Sequence, residues 1–143
     1  MGKFGRILGV DVGSKRVGIA RTDLLRTTAN TVGTFSPEDS FKEIERQINK
    51  EGPVIAVVVG WPLTPQGNQT HATQLAADYV RHLKKKYKDI EVYKFDERYS
   101  SKEAMKLMLE AGVSRKKREE KGRLDQAAAA LILQQFLEAH PDI

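Results

Sequence analysis

The sequence predicts an α/β fold: a mixed five-stranded sheet, three antiparallel strands followed by parallel ones, flanked by helices. Three observations predict it. Within residues 6 to 22, two runs of branched and apolar residues meet at a glycine turn, the pattern of a hairpin. Further strand-like runs are separated by segments of helical periodicity, which calls for right-handed parallel crossovers. The third observation is "VIAVVVGW", residues 54–61, continuously apolar and β-branched as a strand buried on both faces should be.

The elements follow in order. "RILGVDV", 6–12, is the first strand, and "RVGIART" resumes after a turn over Gly13 to Lys15. "TANTVGTF" adds a third antiparallel strand. In "SPEDSFKEIERQINKEG", Ser36 caps a helix, Pro37 takes its first position, Phe41, Ile44 and Ile48 fall on one stripe, and Gly52 stops it. After the 54–61 strand, "PLTPQGNQ" is a loop, and a helix runs from about Asn68 to Lys86 with Leu75, Tyr79 and Leu83 on one side. "IEVYKFDE", 90–97, is a strand ending in two acids. "SSKEAMKLMLEAG" follows as a helix, with Ser100 and Glu103 spaced as a capping box and Gly112 as its stop. A basic loop then leads to "LDQAAAALILQQFLEAH", a helix apolar nearly all round through its middle.

With 143 residues, the length fits one domain spanning 1–143. No apolar run approaches the roughly 18 residues of a membrane span. The N-terminus reads neither as a signal peptide nor as a myristoylation site, so a cytoplasmic location is expected. The absence of cysteine excludes disulfides, thiolate nucleophiles and cysteine-based zinc sites. The net charge is +5, and "RKKREEKGR" at 115–123 carries +4 of it, with six cations against two acids. Such a run is read either as a solvated loop or as a footprint for nucleic-acid phosphates. "KKKYK" at 84–88 ends a helix, where cations are favoured by its dipole in any case.

In such sheets ligands gather beyond the carboxyl ends of the strands. Asp11 lies near that end of the first strand, Asp96 and Glu97 end the last, and Asp125 begins the final helix. Each acid alone has a structural explanation: a turn acid, a partner for Arg98, a first-turn acid facing the helix dipole. Together they repel one another, and a pair of Mg²⁺ or Mn²⁺ ions would give the cluster a purpose, since hard cations take oxygen ligands and two of them clamp a phosphodiester. The alanines at 127–130 would let the last helix come close to the sheet and bring Asp125 in. His71, His82 and His140 have no ligand spacing, and Trp61 and Tyr99 are read as core-edge residues or as platforms for an unpaired base.

The stretches "GVDVGSKRVGIA", "VVVGWPLTPQGNQ", "FDERYSS" and "LDQAAAALIL" resemble, in order, the motifs of the YqgF family, also called RuvX. These are Holliday-junction resolvase-like proteins with an RNase H-like fold, usually described as nucleases for pre-16S ribosomal RNA. The resemblance spans nearly the whole chain. It implies a single RNase H-like nuclease domain in which Asp11, Glu97 and Asp125 are the metal-binding catalytic acids. Lys15, Arg16 and Arg98 then help form the site, with the Gly60 to Gly67 loop nearby. Trp61 stands where the family often has a smaller aliphatic residue. Arg115, Lys116, Lys117, Arg118 and Arg123 are the candidate phosphate contacts of the basic run.

The implied partner is structured RNA, such as precursor rRNA in ribosomal precursor particles, or branched DNA, with no membrane involved. The chain would be a monomer or weak homodimer. Three rivals stand beside 5′-end processing of pre-16S rRNA: a Holliday-junction resolvase, which needs two active sites; a nucleic-acid-binding module that does not cut; and an actin-like ATPase, whose phosphate loop "DVGSKR" also resembles but which needs two such domains.

Overall fold

The computed structural model describes residues 4–96 and 121–141. Its elements are β1 (Arg6–Val12), β2 (Val17–Thr22), β3 (Ala29–Phe35), α1 (Pro37–Lys50), β4 (Val54–Trp61), α2 (His71–Lys86), β5 (Glu91–Asp96) and α3 (Lys121–Ala139). The expected helix over residues 100–112 lies outside the described residues. The strands form one sheet in the order β3-β2-β1-β4-β5. β2 and β3 run antiparallel to their neighbours, while β4 and β5 are parallel to β1 and to each other. The expected mixed sheet is therefore present, with the apolar β1 and β4 at its centre.

The sheet divides the core in two. On one face Leu8, Val10, Val17, Ile19, Val57 and Val59 meet α1 and α2 through Ile44, Ala76, Tyr79, Val80 and Leu83. On the other, Ile7, Ala20, Ala56 and Val58 meet α3 through Ala129, Ile132, Leu133 and Phe136. Alternation along β1 produces the split, since successive side chains of a strand point to opposite faces. Each fully buried aliphatic side chain contributes about 1.5–3 kcal/mol relative to exposure. One buried polar network crosses this layer: the Ser40 hydroxyl lies 2.8 Å from the Tyr79 hydroxyl and donates to the Pro37 carbonyl.

Helix starts follow local chemistry. Ser36 accepts a bond from the Asp39 amide ahead of Pro37. α2 starts at His71, three residues later than expected, because Thr70 and Thr73 form a capping box and the Thr73 hydroxyl also ties down the Pro62 carbonyl. α3 is described from Lys121, so Lys121, Gly122 and Arg123 belong to the helix and not to a loop, and Asp125 lies at least one turn inside it. The dipole explanation for Asp125 weakens accordingly, because that effect fades beyond the first turn.

What α3 packs against explains its closeness to the sheet. A Cβ on Gly18 would overlap the Asp125 carbonyl, and one on Gly9 would lie 2.8 Å from the Ala129 carbonyl and 3.0 Å from Leu133 Cβ. Backbone therefore meets backbone, with Ala128 and Ala129 buried on the helix side. The alanines were legible as a close-packing face; the two strand glycines supply the matching groove, the usual reason for glycine inside a strand.

Candidate active site

The site is built from the carboxyl end of β1, the turn after it, and the start of α3. β1 pairs with β2 so that Val12 faces Val17 and Asp11 faces Gly18. Residues 13–16 close the hairpin, with the Gly13 amide donating to the Arg16 carbonyl at 2.9 Å. A Cβ at Gly13 would sit 2.7 Å from that oxygen, so the tight turn itself requires glycine.

Leu8, Val10 and Val12 pack on the α1–α2 face, whereas Ile7 faces α3 and Gly9 meets the Ala129 backbone. The same alternation sends Asp11 to the α3 face. Paired residues share a face in an antiparallel ladder, so Asp11 stands beside Gly18, over which Asp125 lies. Asp11 and Asp125, 114 positions apart in sequence, are thus brought to one face at one end of the sheet. Both are partly buried. Arg16 Nε donates to Asp125 Oδ2 at 2.9 Å, and Lys15 projects exposed from the same turn.

Asp96 is placed differently. It pairs with Trp61, while Phe95 pairs with Gly60; Phe95 packs toward α3 and Trp61 toward α1 and α2. Asp96 therefore lies on the face opposite to Asp11 and is exposed. The expectation that it shares one region with Asp11 and Asp125 is corrected by strand alternation. Glu97, Arg98, Tyr99, Arg115, Lys116, Lys117 and Arg118 lie outside the described residues, and Arg123 falls within α3.

Gly60 and Trp61 complete β4, as the 54–61 strand reading expects, and the loop that the resemblance placed at Gly60 to Gly67 begins after them. Trp61 packs at the core edge, and the Lys94 ammonium sits 4.6 Å from its ring centroid, a cation–π contact. The loop beyond turns at Gly67, with φ of +87°, and is held by bonds between Thr64 and Asn68. Among the described histidines, His82 packs on Phe41 and His140 stacks on Phe136; both are packing residues. Among the described residues no group of three acids, histidines or cysteines forms a metal cage. Asp11 and Asp125 offer oxygen donors of the kind Mg²⁺ and Mn²⁺ prefer. Sequence reasoning missed Gly9 and Gly18, whose position inside strands was the available signal.

Two carboxylates on the α3 face, at the carboxyl end of β1 in a mixed sheet and beside a cationic turn, define the class: an RNase H-like α/β fold with a strand-end acidic site. Solved structures agree on the fold. The fowlpox virus resolvase in complex with Holliday junction DNA matches with a TM-score of 0.57 at 14% identity, covering 94% of this chain and 97% of that one. RuvC from Thermus thermophilus matches with a TM-score of 0.52 at 17% identity, over 95% and 96%. The family model described as "RuvX: Holliday junction resolvase" matches residues 5–139, and the chain belongs to that family, one of nucleic-acid hydrolases. Curated relatives include the "Putative pre-16S rRNA nuclease" of Salinibacter ruber, 44% identical over 92% of each chain. That of Chlorobaculum tepidum is 43% identical over 94% of each.

Proposed function

We propose that the chain is a metal-dependent nuclease that hydrolyses phosphodiester bonds in structured RNA, acting in 5′-end processing of pre-16S rRNA. The observation that carries this reading is the convergence of Asp11 and Asp125 on one face beside Arg16. The names of the curated relatives supply the substrate. Asp11 and Asp125 would hold Mg²⁺ or Mn²⁺ together with Glu97, favoured as third ligand because Asp96 turns to the other face. Bound there, two ions would supply Lewis-acid activation of water and neutralise charge building on the phosphate. Lys15, Arg16 and Arg98 bind and orient the phosphate, and Arg115, Lys116, Lys117, Arg118 and Arg123 follow the backbone on either side. No covalent enzyme intermediate is needed. Residues 1–143 act as one domain in the cytoplasm; among the described residues no helix is long and apolar enough to cross a membrane.

The experiment is cleavage of a precursor 16S rRNA 5′ segment with Mg²⁺ or Mn²⁺ by wild type, Asp11→Asn, Asp125→Asn and Asp96→Asn. The first two variants lose activity by more than about a hundredfold, the upper range for disturbing a metal site's supporting groups, and Asp96→Asn stays within a few fold. Full activity in Asp125→Asn removes that residue from the mechanism.

The family description favours a second reading, resolution of branched DNA. A four-way junction in the same assay tests it, and paired symmetric cuts with a dimer in solution would move the assignment there.

A further inference from the structure

Three other arginines are occupied by local structural bonds. Arg6 donates to the Glu51 and Thr22 carbonyls, Arg26 to the Gly5 carbonyl, and Arg46 to both Glu43 and Glu51. Arg16 differs, because its Nε is bonded to Asp125, an acid assigned above to the metal. The pair is not sealed: the two side chains keep 41% and 25% of their exposure, and ion pairs this open break readily. A guanidinium hydrogen-bonded to Asp125 and a divalent cation on the same carboxylate repel each other strongly at such range. The divalent ion has twice the charge and a second acid, Asp11, on the same face. Arg16 sits on a hairpin turn whose backbone is fixed by the Gly13 bond, so its side chain can leave Asp125 without the turn moving.

We propose that Arg16 is a place-holding cation: without metal it neutralises and orients Asp125, and metal loading displaces it toward the substrate phosphate. Metal and Arg16 then compete for one carboxylate. A guanidinium released at the edge of the site is well shaped to grip two phosphate oxygens, so metal binding prepares the phosphate contact. This rests on the metal reading of Asp11 and Asp125.

The test measures Mn²⁺ affinity by calorimetry for wild type, Arg16→Gln, Arg16→Lys and Lys15→Gln. Arg16→Gln should bind Mn²⁺ about fivefold more tightly, the equivalent of releasing one exposed ion pair. Arg16→Lys should stay near wild type. Lys15→Gln makes the same charge change one residue away and should shift affinity by less than about twofold, since exposed charges are screened. If wild type binds Mn²⁺ and Arg16→Gln binds it no more tightly, competition is overturned and the metal reading stands. If wild type binds neither Mn²⁺ nor Mg²⁺, the metal reading falls and takes this proposal with it.

A second readout follows the Arg16 Nε–H signal by NMR, assigned by its loss in Arg16→Lys. Mg²⁺ should move it toward its position in metal-free Asp125→Asn. A signal that stays in place at saturating Mg²⁺ overturns displacement.

Discussion

The two turns of the β1-β2-β3 meander both hold charged residues, and they use them in opposite ways. In the 23–28 connection, Asp23 accepts bonds from the Thr27 amide at 2.6 Å, the Thr27 hydroxyl at 2.7 Å and the Thr28 amide at 2.9 Å. Arg26 takes a left-handed backbone, φ +58°, and its guanidinium reaches the Gly5 carbonyl at 2.8 Å. In the 13–16 turn the backbone closes on itself through Gly13, and Arg16 reaches 109 residues away to another acid. An acid whose lone pairs are filled by neighbouring amides builds a loop. An acid paired with an arginine from a distant segment orders no local loop, and a site is a reason to place it there.

The largest expected effect comes from breaking the groove that sets the second arrangement. In Gly18→Ala the new Cβ collides with the Asp125 backbone, which is carbonyl and cannot swing away as a side-chain end could. Overpacking of this kind costs about 3 kcal/mol, and α3 must lift, taking Asp125 out of line with Asp11. Activity should fall with stability, and thermal melts with cleavage assays check both. Gly9→Ala meets atoms at 2.8 and 3.0 Å and should cost less. If Gly18→Ala melts like wild type and cleaves normally, close approach does not position the site.

How far the comparison was legible in the sequence depends on what each feature needs. β1 and β4 match their expected limits because continuous apolar runs bounded by charge or proline declare themselves. The Ser36 cap was equally plain. Lys121, Gly122 and Arg123 look like the tail of a charged loop yet are helical, and lysine and arginine are good helix formers. Asp96 and Glu97 could not be separated by reading, since one step along a strand reverses the face and only pairing with Trp61 fixes which step is which. The roles of Gly9 and Gly18 depend on a helix more than a hundred residues later. The convergence of Asp11 and Asp125 is expected from their places at a strand end and a helix start, and the sheet register brings them to one face; the catalytic roles proposed for them come with the resemblance.

A smaller effect is expected at the structural turn. The Thr27 hydroxyl, followed by the Thr28 and Thr27 amides, outweighs partial burial and holds the Asp23 carboxyl at about 2, below its ordinary 3.8. A depressed carboxyl stabilises the fold above its unfolded value, and that stability is lost as pH falls through the folded value. Asp23→Ala should therefore cost about 1 kcal/mol at neutral pH, in the range of a missing helix cap, and the gap to wild type should narrow between about pH 4 and pH 2. Cleavage at a permissive temperature should be retained. Denaturant melts at pH 7 and pH 2.5 measure this; a penalty that is constant with pH means the carboxylate charge is not what orders the loop.

The smallest effect on stability, and the sharpest contrast with Asp23, is expected at Lys15. It is exposed at the tip of the 13–16 turn, where substitutions change stability by no more than about 0.5 kcal/mol. If the turn presents its cations to a nucleic-acid backbone, the cost of Lys15→Gln appears in binding instead. Removing one cation from a phosphate lowers the slope of log affinity against log salt by about 0.7 on single strands and about 0.9 on duplex. Lys15→Gln should thus melt with wild type while its binding to precursor RNA becomes less salt-sensitive by that amount. Asp23→Ala should do the reverse, melting lower with the slope unchanged. Titrations at several salt concentrations separate the two. An unchanged slope in Lys15→Gln would make its charge an ordinary solvated one and leave Arg16 as the cation of this turn that faces the site.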